Sequence, residues 1–374
     1  MKISKKDALF WFTFFAALPE EEALSIKQQE IALAVLAQIE EAVTAQNDAL
    51  AEQIKDLKTL KGRTYFTGNE SKFSDGCRAC LTGKGLNAIR KTNKCNLKCK
   101  FCYDYGNMED IPPIGENMWE IGGTRFNEGD IPLLLTIQEK PEAVCYVYLE
   151  PFMEIEKYYG IIKTFSAAGV HQHLYTNGVL ANEDNLRLLG EAGLDEIRFN
   201  LGATDCSDRV IENIAIAKKH IPKVGIETPM TPNFYKSFME KKERILTTGL
   251  DFINCAELHL NENNIANFYG EALYSCRLGY ISPVYSKSLT LKFMKVASEE
   301  HWDICVHDCC NLTKFARELN LKSKEGGFFG ESDYGCEFEF FPYEYFLPIL
   351  RDDNFKFLEE EPLPDGYRPG QIVI

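Results

Sequence analysis

Three cysteines crowd into the stretch KCNLKCKFCYDY (94–105): Cys95, Cys99 and Cys102, spaced C-x3-C-x2-C. Three thiolates on one short loop can each hold an iron of a 4Fe–4S cube, where four ligands are usual. The remaining iron is then left for an exchangeable ligand, which suits a catalytic cluster. The same residues admit a second reading. Cys77-x2-Cys80, then eighteen residues, then Cys99-x2-Cys102 fits a four-cysteine zinc ribbon, as in a structural interaction module. That reading leaves out Cys95 and gives no role to Phe101 or Tyr103.

Other groups able to do chemistry are scattered along the chain. Cys77 and Cys80 pair with Cys305 and Cys309 as candidate ligands of an auxiliary site for zinc, iron or a second iron–sulfur cluster. Cys310 and Cys336 lie nearby in sequence, and Cys145, Cys206 and Cys276 read as small core residues. Glu257 and His259 alternate with Cys255 in LDFINCAELHL (250–260), so a barrel-facing strand there makes them candidates for substrate binding or proton transfer. Glu227 ends the preceding apolar stretch in the same way. His171 and His173 share a strand face as metal ligands do, but no third ligand is visible beside them, and ordinary packing is expected.

These residues must be carried by a regular scaffold, and the chain reads as one. Strand-like stretches at 85–93, 142–151, 169–178, 194–203, 222–230 and 250–260 alternate with helical ones, three of which end at Gly. Such alternation implies a parallel sheet with right-handed crossovers. The fold expected is α/β, a partial (β/α)6 barrel, with an open doubly wound sheet as its rival. Its organisation is read as an N-terminal helical region (1–62), a cysteine-containing loop (63–84), the barrel (85–282) and a C-terminal cap (283–374). The cap is a candidate lid, or simply a cover for apolar barrel surface.

The motif CNLKCKFCY, placed after the first strand, resembles the signature of the radical S-adenosylmethionine superfamily. The resemblance covers roughly residues 85–260. It implies that Cys95, Cys99 and Cys102 hold a 4Fe–4S cluster and that its open iron chelates S-adenosylmethionine. An electron passed to the sulfonium then releases a 5′-deoxyadenosyl radical, which abstracts hydrogen from a substrate. Phe101 and Tyr103 would border the adenine. The family's second strand ends in Gly-Gly-Glu-Pro, where this chain has Tyr148-Leu149-Glu150-Pro151, keeping the Glu and Pro but not the glycines. Glu150 and Pro151 then serve the methionyl amine. Thr176 and Asn177 match the third-strand terminus, and Arg198 and Asn200 match a ribose or carboxylate contact. Glu227 joins this cofactor-binding set. The resemblance also implies a reductant such as flavodoxin or ferredoxin and a small-molecule or peptide substrate. Activation of a glycyl-radical enzyme is the alternative within the class. A cobalamin-dependent methyl transfer lacks its Asp-x-His-x-x-Gly signature here.

Composition agrees with a large globular protein. Of 374 residues, 45% are hydrophobic, and 41 Lys and Arg face 56 Asp and Glu, a net charge of −15 that argues against a nucleic-acid partner. Thirteen cysteines in tight groups indicate metal ligation in a reducing compartment rather than disulfides. The opening MKISKKDALFWFTFFAAL superficially resembles a signal peptide, but PEEE follows with no convincing cleavage site and the apolar run is too short to span a bilayer. A short helix is expected there, with Phe10, Phe14, Ala17 and Leu18 docked on the body. A cytoplasmic protein without membrane contact is expected.

Overall fold

The computed structural model describes residues 40–314, apart from 61, 63, 83–85, 104–111, 138–139, 262, 269–270 and 277–279. The expected N-terminal docked helix and the C-terminal aromatic segment with Cys336 lie outside the described residues. A helix, α1 (40–51), leads into β1 (Lys58–Leu60) and β2 (Thr64–Gly68), then α2 (Asp75–Thr82) and β3 (Leu86–Arg90). A hairpin of β4 (Met118–Ile121) and β5 (Thr124–Asn127) and a short helix α3 (Ile131–Ile137) follow. Next come β6 (Ala143–Tyr146), α4 (Tyr158–Ala167), β7 (His171–Thr176), α5 (Glu183–Ala192), β8 (Glu196–Phe199), α6 (Asp208–Ala217), β9 (Lys223–Pro229), α7 (Pro232–Leu246) and β10 (Phe252–Ala256). A two-stranded ribbon, β11 (Leu273–Cys276) with β12 (Tyr280–Pro283), precedes α8 (Val284–Glu299) and β13 (Cys305–Cys309).

The main sheet runs β1-β2-β13-β10-β9-β8-β7-β6-β3-β4-β5. Strands β3, β6, β7, β8, β9, β10 and β13 are mutually parallel and lie in chain order. Every crossover therefore moves one strand in the same direction, as in a barrel. A doubly wound sheet reverses direction at a switch point. The partial barrel is thus the architecture, with a seventh parallel strand drawn from the stretch assigned to the cap. Antiparallel β2 closes against β13, and β4 against β3.

The helix ends follow local chemistry. Asn182 caps α5 by accepting the Asn185 amide at 3.0 Å, and Gly193 ends it at φ 95°. Thr231 accepts the Phe234 amide at 3.2 Å with Pro232 at the first helical position. Outward residues such as Leu174, Ile197, Phe199, Ile226, Ile253 and Val306 pack with the helices in one apolar core. The inward faces are polar: His173, Glu196, Arg198, Glu227, Asn254 and His307.

Two segments depart from the sequence reading. Residues 63–84, expected as loop, contain β2 and α2. The TYFTG stretch is rich in β-branched and aromatic residues, and those favour a strand. Helix α2 lies against the inner face of the barrel, so close that a Cβ on Gly76 would stand 2.5 Å from His173 Nδ1 and 2.6 Å from Arg198 Nη2. The second departure is at the sixth expected strand, which ends at Ala256. Glu257 and His259 lie beyond it, and Cys255 belongs to the outward, helix-covered face.

Candidate active site

The cysteine loop begins one turn past β3, at the carboxyl ends of the parallel strands. Cys95, Cys99 and Cys102 are half-buried thiols. The Cys102 amide donates to the Cys99 carbonyl at 3.0 Å, and the Leu97 amide approaches Cys95 Sγ at 3.5 Å. Burial pushes the Cys99 thiol up to about 12, with Cys102 and Cys95 beside it adding to the rise, and burial also raises Cys95. Three neighbouring thiols cannot all ionise here without a cation among them, and a thiolate-bound metal cluster supplies one. The donor set fits the cluster that the spacing suggests.

The loop is fastened on three sides. The Glu150 amide donates to the Lys94 carbonyl at 3.0 Å, and Asn177 Nδ2 donates to Asn96 Oδ1 at 2.8 Å. From the segment after β10, asparagine side chains donate to its far end. Asn267 reaches the Lys100 carbonyl (3.0 Å), Asn264 that of Phe101 (3.2 Å), and Asn261 and Asn263 that of Tyr103 (3.0 and 2.8 Å). This asparagine clamp was not foreseen, although NENNIAN (261–267) is a conspicuous local composition. Phe101 packs against Leu258, Leu260, Ile265, Leu273 and Ile281. Tyr103 is 47% exposed, with its ring 5.4 Å from that of His259.

At the end of β6 the backbone keeps what the side chains abandon. Tyr148 and Leu149 adopt φ 73° and 55°, the left-handed region that glycine enters freely. The side chains cost about 1–2 kcal/mol each in that conformation, so the turn is held by its surroundings. Glu150 follows, fully buried. Its Oε1 accepts from Thr176 Oγ1 (2.8 Å) and the Phe152 amide (3.0 Å), and its Oε2 accepts the Asn177 amide (2.7 Å). Burial nonetheless lifts its carboxyl to about 7. Pro151 opens the 3-10 turn Pro151–Met153 that Glu150 caps. The expected contacts Glu150, Pro151, Thr176 and Asn177 are therefore brought together, at the ends of two adjacent strands.

Arg198 and Asn200 part company. Asn200 follows the end of β8 and accepts the Ala203 amide at 3.2 Å, capping a 3-10 turn. Arg198 is buried inside the barrel, paired at 2.6 Å with both Glu196 and Glu227 and hydrogen-bonded to Tyr175 (2.8 Å) and Ser74 (2.7 Å). Its donors are largely taken by the protein, and Glu227 is its partner. Glu257 accepts from Tyr274 Oη and from the Asn311 amide (2.7 Å). His259 lies between the rings of Tyr103 and Tyr280, and burial depresses it to about 3, so it stays neutral. The two do not form the hydrogen-bonded pair one strand face would have made.

The auxiliary cysteines meet a different set of neighbours. Cys77, on α2, stands 3.3 Å from His307 Nε2 and 3.6 Å from Asn254 Nδ2. Cys309 is raised to about 12 by burial, with Glu227, Cys80 and Cys310 reinforcing the shift. Cys305 packs with Phe66, Phe73, Leu81 and Phe252. Cys77 and Cys80 thus face β13, and the zinc-ribbon reading would need them beside Cys99 and Cys102.

No protein-family model matches the chain. Over 218 residues it is 29% identical to a protein of Methanocaldococcus jannaschii provisionally named a glycyl-radical enzyme activating enzyme, covering 54% of each chain. Over 187 residues it is 23% identical to the tungsten-containing aldehyde ferredoxin oxidoreductase cofactor-modifying protein of Pyrococcus furiosus, covering 43% of this chain and 48% of that one. The chain thus spans about half the length of these two relatives. Among solved structures, Streptococcus suis SuiB bound to S-adenosylmethionine superposes with a TM-score of 0.41 at 13% identity, over 60% of this chain and 49% of that one. SuiB bound to the precursor peptide SuiA gives 0.43 at 16%, over 67% and 54%. In its cysteine triplet at the mouth of a partial barrel, and in these sequence relatives, the chain is similar to the radical S-adenosylmethionine superfamily.

Proposed function

We propose that this chain is an enzyme that cleaves S-adenosylmethionine reductively and abstracts hydrogen from a small-molecule or peptide substrate. The observation that carries the reading is the gathering of Cys95, Cys99 and Cys102 at the carboxyl ends of the barrel strands, where burial and mutual repulsion disfavour three free thiolates. Those three residues would hold a 4Fe–4S cluster, which when bound supplies the electron that frees a 5′-deoxyadenosyl radical from the sulfonium.

The chain's own residues position and protect. Glu150, ionised near neutral pH only against its burial, offers a negative charge that a cationic amine nearby would favour. Asn177 and the asparagine clamp fix the loop that Phe101 and Tyr103 border. The exposed ring of Tyr103 offers a flat face to adenine. Glu257, tied to Tyr274, and neutral His259 remain candidates for substrate contact at the same mouth. Excluding water there protects a reactive radical from stray hydrogen donors.

A second reading is that the substrate is a protein, on which the abstraction leaves a glycyl radical. The name of the Methanocaldococcus relative favours it. In either case a flavodoxin or ferredoxin would supply the electron. No described helix is long and apolar enough to cross a membrane.

The test is anaerobic incubation with dithionite and S-adenosylmethionine. The reading expects 5′-deoxyadenosine from the wild type and none from Cys99→Ala. Equal product from both would overturn it.

A further inference from the structure

The opposite end of the barrel gathers a second set of ligand-type residues. His171 opens β7, and His173 follows two residues on, on the same strand face. Glu196 opens β8 and is the register partner of His173. Each of the three offers a ligand atom, and these atoms lie within 4.8 Å of one another. The third member comes from the neighbouring strand, so only the register reveals it.

The surroundings favour a cation. His171 Nε2 is buried with no hydrogen-bond partner among the described residues and stands 3.9 Å from Glu196 Oε2. Its other nitrogen, Nδ1, is 3.9 Å from Asp195 Oδ2, whose carboxylate is held by the Gln172 amide at 2.8 Å. Glu196 is fully buried. Its Oε1 accepts from Arg198 Nε (2.6 Å) and Ser74 (2.9 Å), and Oε2, with a longer 3.1 Å contact to Ser74, turns toward the histidines. Arg198 divides its charge between Glu196 and Glu227, and Lys223 is engaged with Asp75 at 2.6 Å. The negative charge of Asp195, Glu196 and Glu227 therefore exceeds the one buried guanidinium among them.

We propose that His171, His173 and Glu196 bind a divalent transition-metal ion of the zinc, iron(II) or manganese(II) class. Two imidazoles and a carboxylate are a donor set such ions accept. Asp195 lies on the Nδ1 side of His171, leaving Nε2 for the ion, and Ser74 and Arg198 hold the carboxylate. The ion would join β7 to β8 beneath α2. It is separate from the cysteine loop and independent of the chemistry proposed there.

The experiment is an anaerobic calorimetric titration of the full-length, cluster-reconstituted protein with zinc(II), followed by X-ray absorption at the zinc edge. One equivalent bound through nitrogen and oxygen donors is expected, with a rise in Tm. Loss of a ligand should weaken that equivalent by more than the roughly 10–100-fold that loss of an outer-shell partner costs, so His171→Ala and His173→Gln should each abolish it in the titration. Cys77→Ser should leave it in place. His171 is 21% exposed, so its truncation should leave the fold intact, and a circular dichroism melt checks this. Absence of binding, a sulfur shell around the zinc, or an unchanged equivalent in a folded His171→Ala variant would each overturn the proposal.

Discussion

Asn177 at the end of β7 donates its side-chain amide to Asn96 Oδ1 at 2.8 Å, joining the third barrel strand to the middle of the cysteine loop. Asn96 sits beside Cys95, so this one bond transmits the rigidity of the sheet to the first ligand. Asn177→Ala removes the donor and leaves the loop tied by Glu150 and the asparagine clamp. The expected cost is about 1 kcal/mol of stability with a larger effect on function: less iron retained on gel filtration and about tenfold slower formation of 5′-deoxyadenosine, since small misplacements of reacting groups are costly. Unchanged iron retention in the variant would mean that the loop does not depend on this bond.

Leu149 occupies a left-handed backbone position without being glycine. Leu149→Gly relieves about 1–2 kcal/mol of conformational cost while losing a half-buried side chain and ordering a freer unfolded chain. The balance should lie within about 1 kcal/mol of zero by urea melts, whereas Leu→Gly at an ordinary position is clearly destabilising. A loss above about 3 kcal/mol would show that packing of the side chain, not the turn, dominates.

Burial raises the carboxyl of Glu150 from the ordinary 4.5 to about 7. Below the lower value it is protonated in both the folded and unfolded chain. Between the two, the folded chain holds a proton that the unfolded chain has released, so stability falls as pH rises through this window, by on the order of 3 kcal/mol. Above about 7 the contribution is flat. Glu150→Gln, measured before cluster reconstitution, should lower overall stability because its amide faces the Asn177 N–H. It should also remove much of the slope between pH 4.5 and 7. An identical slope in the variant would assign the titration to another group.

Arg198 sits buried between Glu196 and Glu227. Arg198→Met keeps much of the volume and strands both carboxylates, for which about 3–5 kcal/mol is the usual cost. Denaturant midpoints should show that loss. If Arg198 instead were mainly a cofactor contact, stability would hardly move and only the KM for S-adenosylmethionine would rise.

The regular part of the barrel was legible because strand and helix periods alternate between residues 85 and 256, with Gly193 and Thr231 marking helix ends. The cysteine loop was legible from its spacing taken together with its place after the first strand. What escaped the sequence was tertiary. Strand β13 is short and preceded by a helix assigned to a cap, so only its pairing with β10 identifies it as part of the barrel. The hairpin turn at Gly122-Gly123, with φ 57° and 84°, carried a local signal that the longer alternation overshadowed. Glu196 became the third neighbour of His171 and His173 only through the β7–β8 register. At Tyr148 and Leu149 the backbone keeps a glycine-like conformation that side-chain identity conceals. Arg198, aligned by resemblance with a cofactor contact, is engaged by a carboxylate on its own strand and another one strand away.

The most direct test of the central claim is the iron and acid-labile sulfide content of protein purified and reconstituted without air, compared with Cys95→Ala, Cys99→Ala and Cys102→Ala variants. The account predicts about four irons and four sulfides for a cluster of this class, with visible absorbance that bleaches on reduction, and loss of that absorbance in each variant. Zinc in place of iron with negligible sulfide, or a cluster that survives all three substitutions, would contradict it.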